Sequence, residues 1–348
     1  MSLPQLSSPH SHRPLGTAQV MQTVILACIP GLLAISYFFG WGTLINILWL
    51  GLLALALEAL VLRLRKRAIR VYLTDYSALV TAVLLGLSLP PTAPWWLGLI
   101  GIAFAIVIAK HLYGGLGYNP FNPAMVAYVV LLISFPLEMS TWLSPRGVAS
   151  LSPQVPGFLD SLHAIFSFGD KASAIDAYIG ATPLDEFKQQ RGGMLVSEFW
   201  NQNPLFGRWS GRGWEWVNLG FLAGGLFLLY RKIISWHIPF SLLAVMLILS
   251  ALFYDNGSST SHGSPLLHLL GGATMLGAFF IATDPVSAAT TPRGKLLYGA
   301  LIGGLVYVIR IWGNYPDAMA FAVLLGNFSA PLIDYYTQPR TFGHQSGK

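Results

Sequence analysis

Long apolar runs recur along nearly the whole chain, separated by short stretches rich in polar residues, Pro or Gly. A helix needs about 20 mostly apolar residues to cross the hydrocarbon of a bilayer. The runs predict about ten such helices, at residues 18–39, 42–62, 75–90, 96–113, 123–141, 214–231, 236–254, 265–282, 295–312 and 317–336. The pattern therefore predicts an all-α polytopic membrane protein.

The composition of the chain strengthens this interpretation. Of 348 residues, 54% are apolar and only 10% are charged, whereas a soluble domain carries about a quarter charged residues. We therefore expect membrane lipid to cover much of the surface. The net charge of +6 gathers at the ends of apolar runs, which is typical of membrane topology and does not indicate a nucleic-acid partner.

The distribution of basic residues predicts the orientation, because cytoplasmic loops are enriched in Lys and Arg. If the N-terminus is inside, the inner loops hold Arg13, Arg63, Arg65, Lys66, Arg67, Arg70, Lys110, Arg231, Lys232, Arg293, Lys295, Arg340 and Lys348. The long segment 142–213 then lies outside, together with short loops that carry little positive charge. We predict that both termini are cytoplasmic and that the first run is an uncleaved span.

The chain divides into two halves, residues 1–141 and 214–348, with five runs each and the polar loop 142–213 between them. An odd number of spans gives the second half the opposite orientation, as in transporters with inverted repeats. Residues 118–127 and 314–322, which open the fifth and tenth runs, share a Pro followed by Ala-Met. We predict a five-plus-five inverted repeat; chance similarity between apolar helices is the alternative.

Glycine pairs at 114–115, 224–225, 271–272 and 303–304 predict close helix packing. Ionisable residues within spans are costly and often functional; the candidates are Glu58, Lys110, Asp255, Asp284, Arg310 and Asp334. Glu58 and Lys110 lie near helix ends, which favours snorkelling to the interface. Asp284 precedes a proline where the eighth run ends, and could lie on an ion path or accept hydrogen bonds from freed backbone amides.

Thr182 is the residue of the long loop with the clearest chemical potential. Pro183 favours an extended conformation at Thr182, and the small residues Gly180 and Ala181 leave its hydroxyl accessible to a modifying enzyme. The single cysteine, Cys28, lies inside the first run, so this chain alone cannot form a disulfide framework or hold an iron–sulfur cluster. No metal site is predicted, and a redox role would need an organic cofactor.

Three motifs resemble one known family. They are Tyr-Asn-Pro-Phe-Asn-Pro-Ala-Met-Val-Ala-Tyr at 118–128, Ala-Thr-Pro-Leu-Asp at 181–185 and Thr-Asp-Pro-Val-Ser-Ala at 283–288. With the pattern of runs, they extend the resemblance over nearly the whole chain. The chain resembles the D subunits of Rnf electron-transport complexes and, more distantly, the B subunits of the sodium-pumping NADH:quinone reductase. Their fold in turn resembles that of urea and ammonium channels.

The resemblance implies that FMN is attached through its phosphate to the hydroxyl of Thr182. The flavin transferase of such systems recognises an Asp, two variable residues, a Ser or Thr, and then Gly-Ala-Thr. On this sequence these positions fall on Asp176, Gly180, Ala181 and Thr182, with Ile179 where Ser or Thr is usual. The acceptor is intact although the match to the transferase is weaker. The resemblance also allows a second, non-covalent flavin, for which no residue is indicated.

The resemblance further implies a translocase subunit of the bacterial cell inner membrane. Electron transfer between ferredoxin and NAD would be coupled to the movement of protons or sodium ions. The partners would be the flavin and iron–sulfur subunits of the complex, and the flavin transferase during maturation. One alternative is a channel or secondary transporter with the same fold and no redox role, and another is a structural scaffold.

Overall fold

The computed structural model describes residues 16–148, 155–167, 178–189, 192–313, 315 and 318–338. The helices of the first half are α1 (Thr17–Ala27), α2 (Ile29–Phe39), α3 (Gly42–Leu64), α4 (Ile69–Leu73), α5 (Ser77–Ser88), α6 (Trp95–Ala103, continued by a π-helix over Phe104–Leu112), α7 (Pro123–Ser134) and α8 (Pro136–Ser140). The loop contains β1 (Trp142–Leu143), α9 (Phe158–Phe166), β2 (Ile179–Gly180), α10 (Pro183–Gln189) and α11 (Val196–Gln202). The second half has α12 (Trp214–Tyr230), α13 (His237–Leu252), α14 (Pro265–Leu270), α15 (Thr274–Leu276, continued by a π-helix over Gly277–Ile281), α16 (Pro292–Trp312) and α17 (Met319–Thr337).

The predicted multi-pass, predominantly helical membrane protein is confirmed. Within the described residues, four helical segments are long and apolar enough to cross a bilayer: Thr17–Phe39, Gly42–Leu64, Trp95–Leu112 and Pro292–Trp312. The shorter apolar helices α5 and α7 have 12 residues each, or about 18 Å of helix, against about 30 Å of hydrocarbon. The count of ten spans and the channel-like fold stay predictions.

Two of the predicted runs are interrupted. Within 123–141, α7 ends at Ser134, Phe135 leaves the helical conformation, and Pro136 begins α8. Within 265–282, the helix breaks between Leu270 and Thr274, and Gly272 there takes a φ of +55°. Apolar periodicity is continuous through both places, so only Pro136 and Gly272 mark the breaks.

Helices of the two halves pack directly on each other. Helix α2 lies against α12, and α7 lies against α17; one hydrophobic cluster runs through helices of both halves. The backbone N–H of Asn122, at the start of α7, donates to Oδ1 of the buried Asn327 in α17 at 3.0 Å. These contacts join the first run to the sixth and the fifth to the tenth. The inverted repeat itself stays a prediction, since Asn314, Pro316 and Asp317 lie outside the described residues.

Close packing at glycine is confirmed for two of the four glycine pairs. A Cβ at Gly224 would overlap the carbonyl oxygen of Ala27, and one at Gly303 would overlap that of Leu242. At 114–115, however, both glycines have positive φ, +130° and +108°, and form a turn after the π-helix. That pair therefore serves backbone conformation rather than helix packing.

The long loop folds onto one end of the helices. Six apolar side chains form a small cluster there: Leu184, Phe187, Val196, Phe199, Phe206 and Leu267. Helix α9 lies along α3, where Phe158 packs edge-on to Trp41 and Phe166 to Trp49. We call the side of the molecule that carries residues 142–213 the loop face, and the opposite side the inner face.

Candidate functional site

Thr182 lies where the small sheet of the loop passes into α10. In that antiparallel sheet Trp142 pairs with Gly180 and Leu143 with Ile179. The Thr182 carbonyl accepts from the Glu186 N–H at 2.9 Å, and its Oγ1 accepts from the Asp185 N–H at 3.3 Å. The chain thus presents a half-buried hydroxyl at the start of a helix, in the position of an N-cap.

A cavity of about 330 Å³ lies beside Thr182, between the two halves. Its lining is mainly apolar and includes Leu87 and Met125 from the first half and Gly272 and Met319 from the second. We call this space the loop-face cavity. Thr182 is one of its few hydroxyl-bearing residues, and its position makes the cavity a candidate cofactor site.

Two tryptophans form an aromatic wall of the loop-face cavity. The rings of Trp142 and Trp214 have centroids 4.9 Å apart at an angle of 60°. Because Trp142 faces Gly180 across the sheet, the pairing brings this ring and Thr182 to the same cavity. Interfacial anchoring, the sequence-based interpretation for Trp142 and Trp200, is wrong: Trp200 donates its Nε1–H to the Gly207 carbonyl at 2.7 Å within the loop.

The break in the eighth run forms part of the wall on the side of the second half. Gly271, Gly272 and Ala273 line the loop-face cavity. Asn218 of α12 holds this segment, since its Nδ2 lies 2.9 Å from both the Leu270 and Gly272 carbonyl oxygens. Its Oδ1 accepts from the N–H of the first residues beyond the break at 3.0 Å. Sequence reasoning missed Asn218, although a lone Asn within an apolar run is a usable signal.

Asp284 lies on the other side of the molecule from Thr182. It contributes to a second cavity, of about 100 Å³, whose polar lining residues include Lys110, Asn119 and Asn122. We call this the inner cavity. The carboxylate accepts from the Ser287 hydroxyl at 2.8 Å and the Val286 N–H at 3.4 Å. The structure thus assigns Thr182 and Asp284 to separate cavities, while Asp176 lies outside the described residues.

Glu58 and Lys110 form a buried ion pair, so the snorkelling expected for them is wrong. Their residues are 1% and 2% exposed, and Lys110 Nζ lies 2.5 Å from Glu58 Oε1. Lys110 also donates to the Ser77 hydroxyl at 2.7 Å, and Nε2 of His111 lies 3.2 Å from the same Glu58 oxygen. Such a cluster satisfies charges that could not reach water.

The remaining ionisable candidates have structural partners. Asp255 lies in an exposed turn, where the Ser258 and Thr260 hydroxyls donate to it at 2.5 and 2.8 Å and lower the pKa of its carboxyl group. Asp334 accepts from the Thr290 N–H at 2.9 Å and connects α17 to the segment after Asp284. Neither residue lines the loop-face cavity.

These features define a helical membrane protein with a hydroxyl-bearing cavity between two packed halves. Residues 5–343 match the model of the NQR2, RnfD, RnfE family. The chain therefore belongs to this family, and the resemblance stated from the motifs is confirmed.

Similar proteins match over nearly their full length. The D subunit of the ion-translocating oxidoreductase complex of Cellvibrio japonicus is 53% identical over 348 residues, covering 99% of this chain and 96% of that protein. The protein of the same name from Aliivibrio salmonicida is 55% identical over 350 residues, covering 98% of each chain. The one from Pseudomonas paraeruginosa is 54% identical over 348 residues, with 100% and 98% coverage.

Proposed function

We propose that this chain is the D subunit of an Rnf-type ion-translocating oxidoreductase and carries FMN as a phosphoester on Thr182. The observation that supports the proposal is the position of the Thr182 side chain, at the edge of a largely apolar cavity between the two halves. The names of the relatives describe such a subunit.

The residues around the cavity suit a flavin. Its volume of about 330 Å³ falls within the range of roughly 300–1,000 Å³ that is usual for small-molecule sites. Trp142 and Trp214 would offer flat apolar surfaces to the ring, and Gly271 and Gly272 would allow a close approach of the backbone opposite. When bound, FMN would supply one- and two-electron transfer. The tether at Thr182 would keep it at high local concentration where no free flavin pool replaces it.

The wider assignment concerns the complex and its membrane. In this proposal both termini are cytoplasmic, the loop face is periplasmic, and the chain lies in a bacterial inner membrane. Flavin and iron–sulfur subunits would carry electrons between ferredoxin and NAD, and a flavin transferase would load Thr182 using Asp176, Gly180 and Ala181. Asp284, at the inner cavity, would lie on the path of the coupled proton or sodium ion.

The decisive experiment is detection of the adduct. Chain purified from cells that contain the transferase should give a flavin-fluorescent band on a denaturing gel, and loop peptides should carry an FMN-sized mass on Thr182. Thr182→Ala should abolish both signals, while Thr182→Ser, which keeps a hydroxyl, should retain part of the band. An unmodified Thr182 in native membranes would overturn the assignment.

A passive channel or secondary transporter is the second candidate. The observation in its favour is the pair of cavities on opposite faces, each lined by residues of both halves. A colourless protein that moves a solute into liposomes, at the same rate with Thr182→Ala, would support this function and exclude the redox role.

A further inference from the structure

Arg310 is a buried charge that the proposed function leaves unused. It lies in α16 and is 4% exposed. Its guanidinium donates to the His268 carbonyl at 2.8 Å, to the Gly271 carbonyl at 3.4 Å and to Thr274 Oγ1 at 3.0 Å. A group that remains charged in proteins is thus fixed at the broken segment of the eighth run.

The same broken segment separates Arg310 from the loop-face cavity. Gly271 and Ala273 line that cavity, whereas Arg310 lines a different one on the loop face, of about 400 Å³, together with His268 and Lys188. The two cavities share Leu184. The guanidinium is therefore a single backbone segment away from the space proposed for the flavin.

The polar groups of the segment reinforce this positive charge. Carbonyl oxygens of the break are bound by Arg310 and by Asn218, neither of which lines the loop-face cavity. The negative ends of these peptide dipoles are thus engaged by groups outside the cavity. Asp185, the carboxylate that lines the cavity, lies at the Thr182 end and accepts from Gln189 at 2.6 Å.

We propose that Arg310, acting through the broken segment that it holds, is the fixed positive charge that favours the reduced form of the flavin in the loop-face cavity. Uptake of two electrons and one proton leaves the flavin ring with one negative charge, and a nearby fixed cation stabilises that charge in a medium of low dielectric. Arg310 would thus be a positioning residue that also sets the reduction potential. This inference rests on the proposed attachment of FMN to Thr182.

The test is a redox titration of the purified, flavin-loaded chain with a chemical reductant and mediators, followed by visible absorbance. Arg310→Gln should lower the potential, so that the ratio of reduced to oxidised flavin at a given ambient potential falls about tenfold. Arg310→Lys, which keeps the charge, should shift it much less. Thr274→Val, which removes a hydrogen-bond partner of Arg310 but no charge, is the matched control and should titrate like the unaltered chain.

Two measurements keep this inference separable from the proposed function. The fluorescent gel band reports attachment in every variant; a missing band in the unaltered chain overturns the assignment of FMN and this inference with it. A band of normal intensity with an unchanged potential in Arg310→Gln overturns the role of Arg310 alone. If Arg310→Gln does not accumulate, Thr274→Asp places a carboxylate beside the guanidinium, and an unchanged potential there is equally contradictory.

Discussion

Trp142 lies directly opposite Gly180 in the two-stranded sheet of the loop, two residues before Thr182. The sheet is only two residues long on each strand, yet it fixes an aromatic ring and a hydroxyl at one cavity. Each carries a different part of the proposed site. The tryptophan supplies a surface and the threonine supplies an attachment point.

The Trp142 side chain should quench the fluorescence of the bound flavin. Its ring, tilted on Trp214, would lie against the flavin in the loop-face cavity. We expect Trp142→Phe to raise the fluorescence of the folded protein severalfold while the band on a denaturing gel keeps its intensity. Trp200→Phe is the control, since Trp200 packs on Phe206 within the loop. Equal quenching in both variants would place the ring elsewhere.

Ile179 should limit the efficiency of flavin attachment. It is half-buried and faces Leu143 across the sheet, at the position where the transferase motif has Ser or Thr. Ile179→Thr restores the motif and keeps a β-branched residue that suits a strand. The flavin-loaded fraction, measured by intact mass, should therefore rise. Leu143→Thr alters the strand partner and should not raise it; a rise in both variants would point to a general loosening of the loop.

Removal of one partner from the buried ion pair should destabilise the protein strongly. Lys110→Met leaves Glu58 as an uncompensated charge, which costs about 3–5 kcal/mol. We expect a marked loss of thermal stability in detergent. The double variant Glu58→Leu with Lys110→Met should recover much of it, because no buried charge remains. If the single and double variants melt alike, the pair contributes no coupling energy.

Two adjacent glycines of α16 should respond oppositely to the same change. A Cβ at Gly303 would overlap the Leu242 carbonyl, whereas at Gly304 the nearest atom is a Val245 methyl at 3.9 Å. Gly303→Ala should therefore lower the thermal stability clearly. Gly304→Ala should be neutral or stabilising by up to about 1 kcal/mol, because alanine favours the helix. Similar melting temperatures would contradict the packing of α13 on α16.

The carboxylate of Asp284 should matter for ion movement rather than for folding. In Asp284→Asn the amide oxygen can still accept from the Ser287 hydroxyl and the Val286 N–H, so the turn should persist. We expect normal assembly with a severalfold loss of ion pumping in native membranes. Asp255→Asn, in the exposed turn after α13, should pump normally. Unchanged pumping by a normally assembled Asp284→Asn variant would remove the residue from the ion path.

The sequence predicts the positions of the helices well, because the apolar runs are long and proline or charge marks most ends. It does not predict the break at Gly271 and Gly272, since the runs of apolar residues on either side are continuous with it. Snorkelling of Glu58 is the wrong expectation, because the distance along a helix to its end says nothing about which neighbour faces the side chain. Lys110 and His111 reach Glu58 only through the packing of α3 against the π-helix that continues α6.

The candidate site is predictable at Thr182 but not in its surroundings. Gly180 and Ala181 mark an accessible hydroxyl by local chemistry, and the motif of the family points to the same residue. The aromatic wall depends on the register between β1 and β2, and these strands are separated by more than 30 residues along the chain. Asn218 and Arg310 act on a break that sequence alone does not place, so their roles appear only when the helices are assembled.

Leu267, fully buried at the loop-face end of α14, belongs to the apolar cluster of the loop. It follows that α14 and the helix beginning just after Thr182 are bound into a single mechanical unit. Any tilt of α14 would carry α10 with it, and a force on the loop from a neighbouring subunit would reach the broken segment by the same route. Motion at the membrane surface and motion at the helix break are thereby coupled through one leucine.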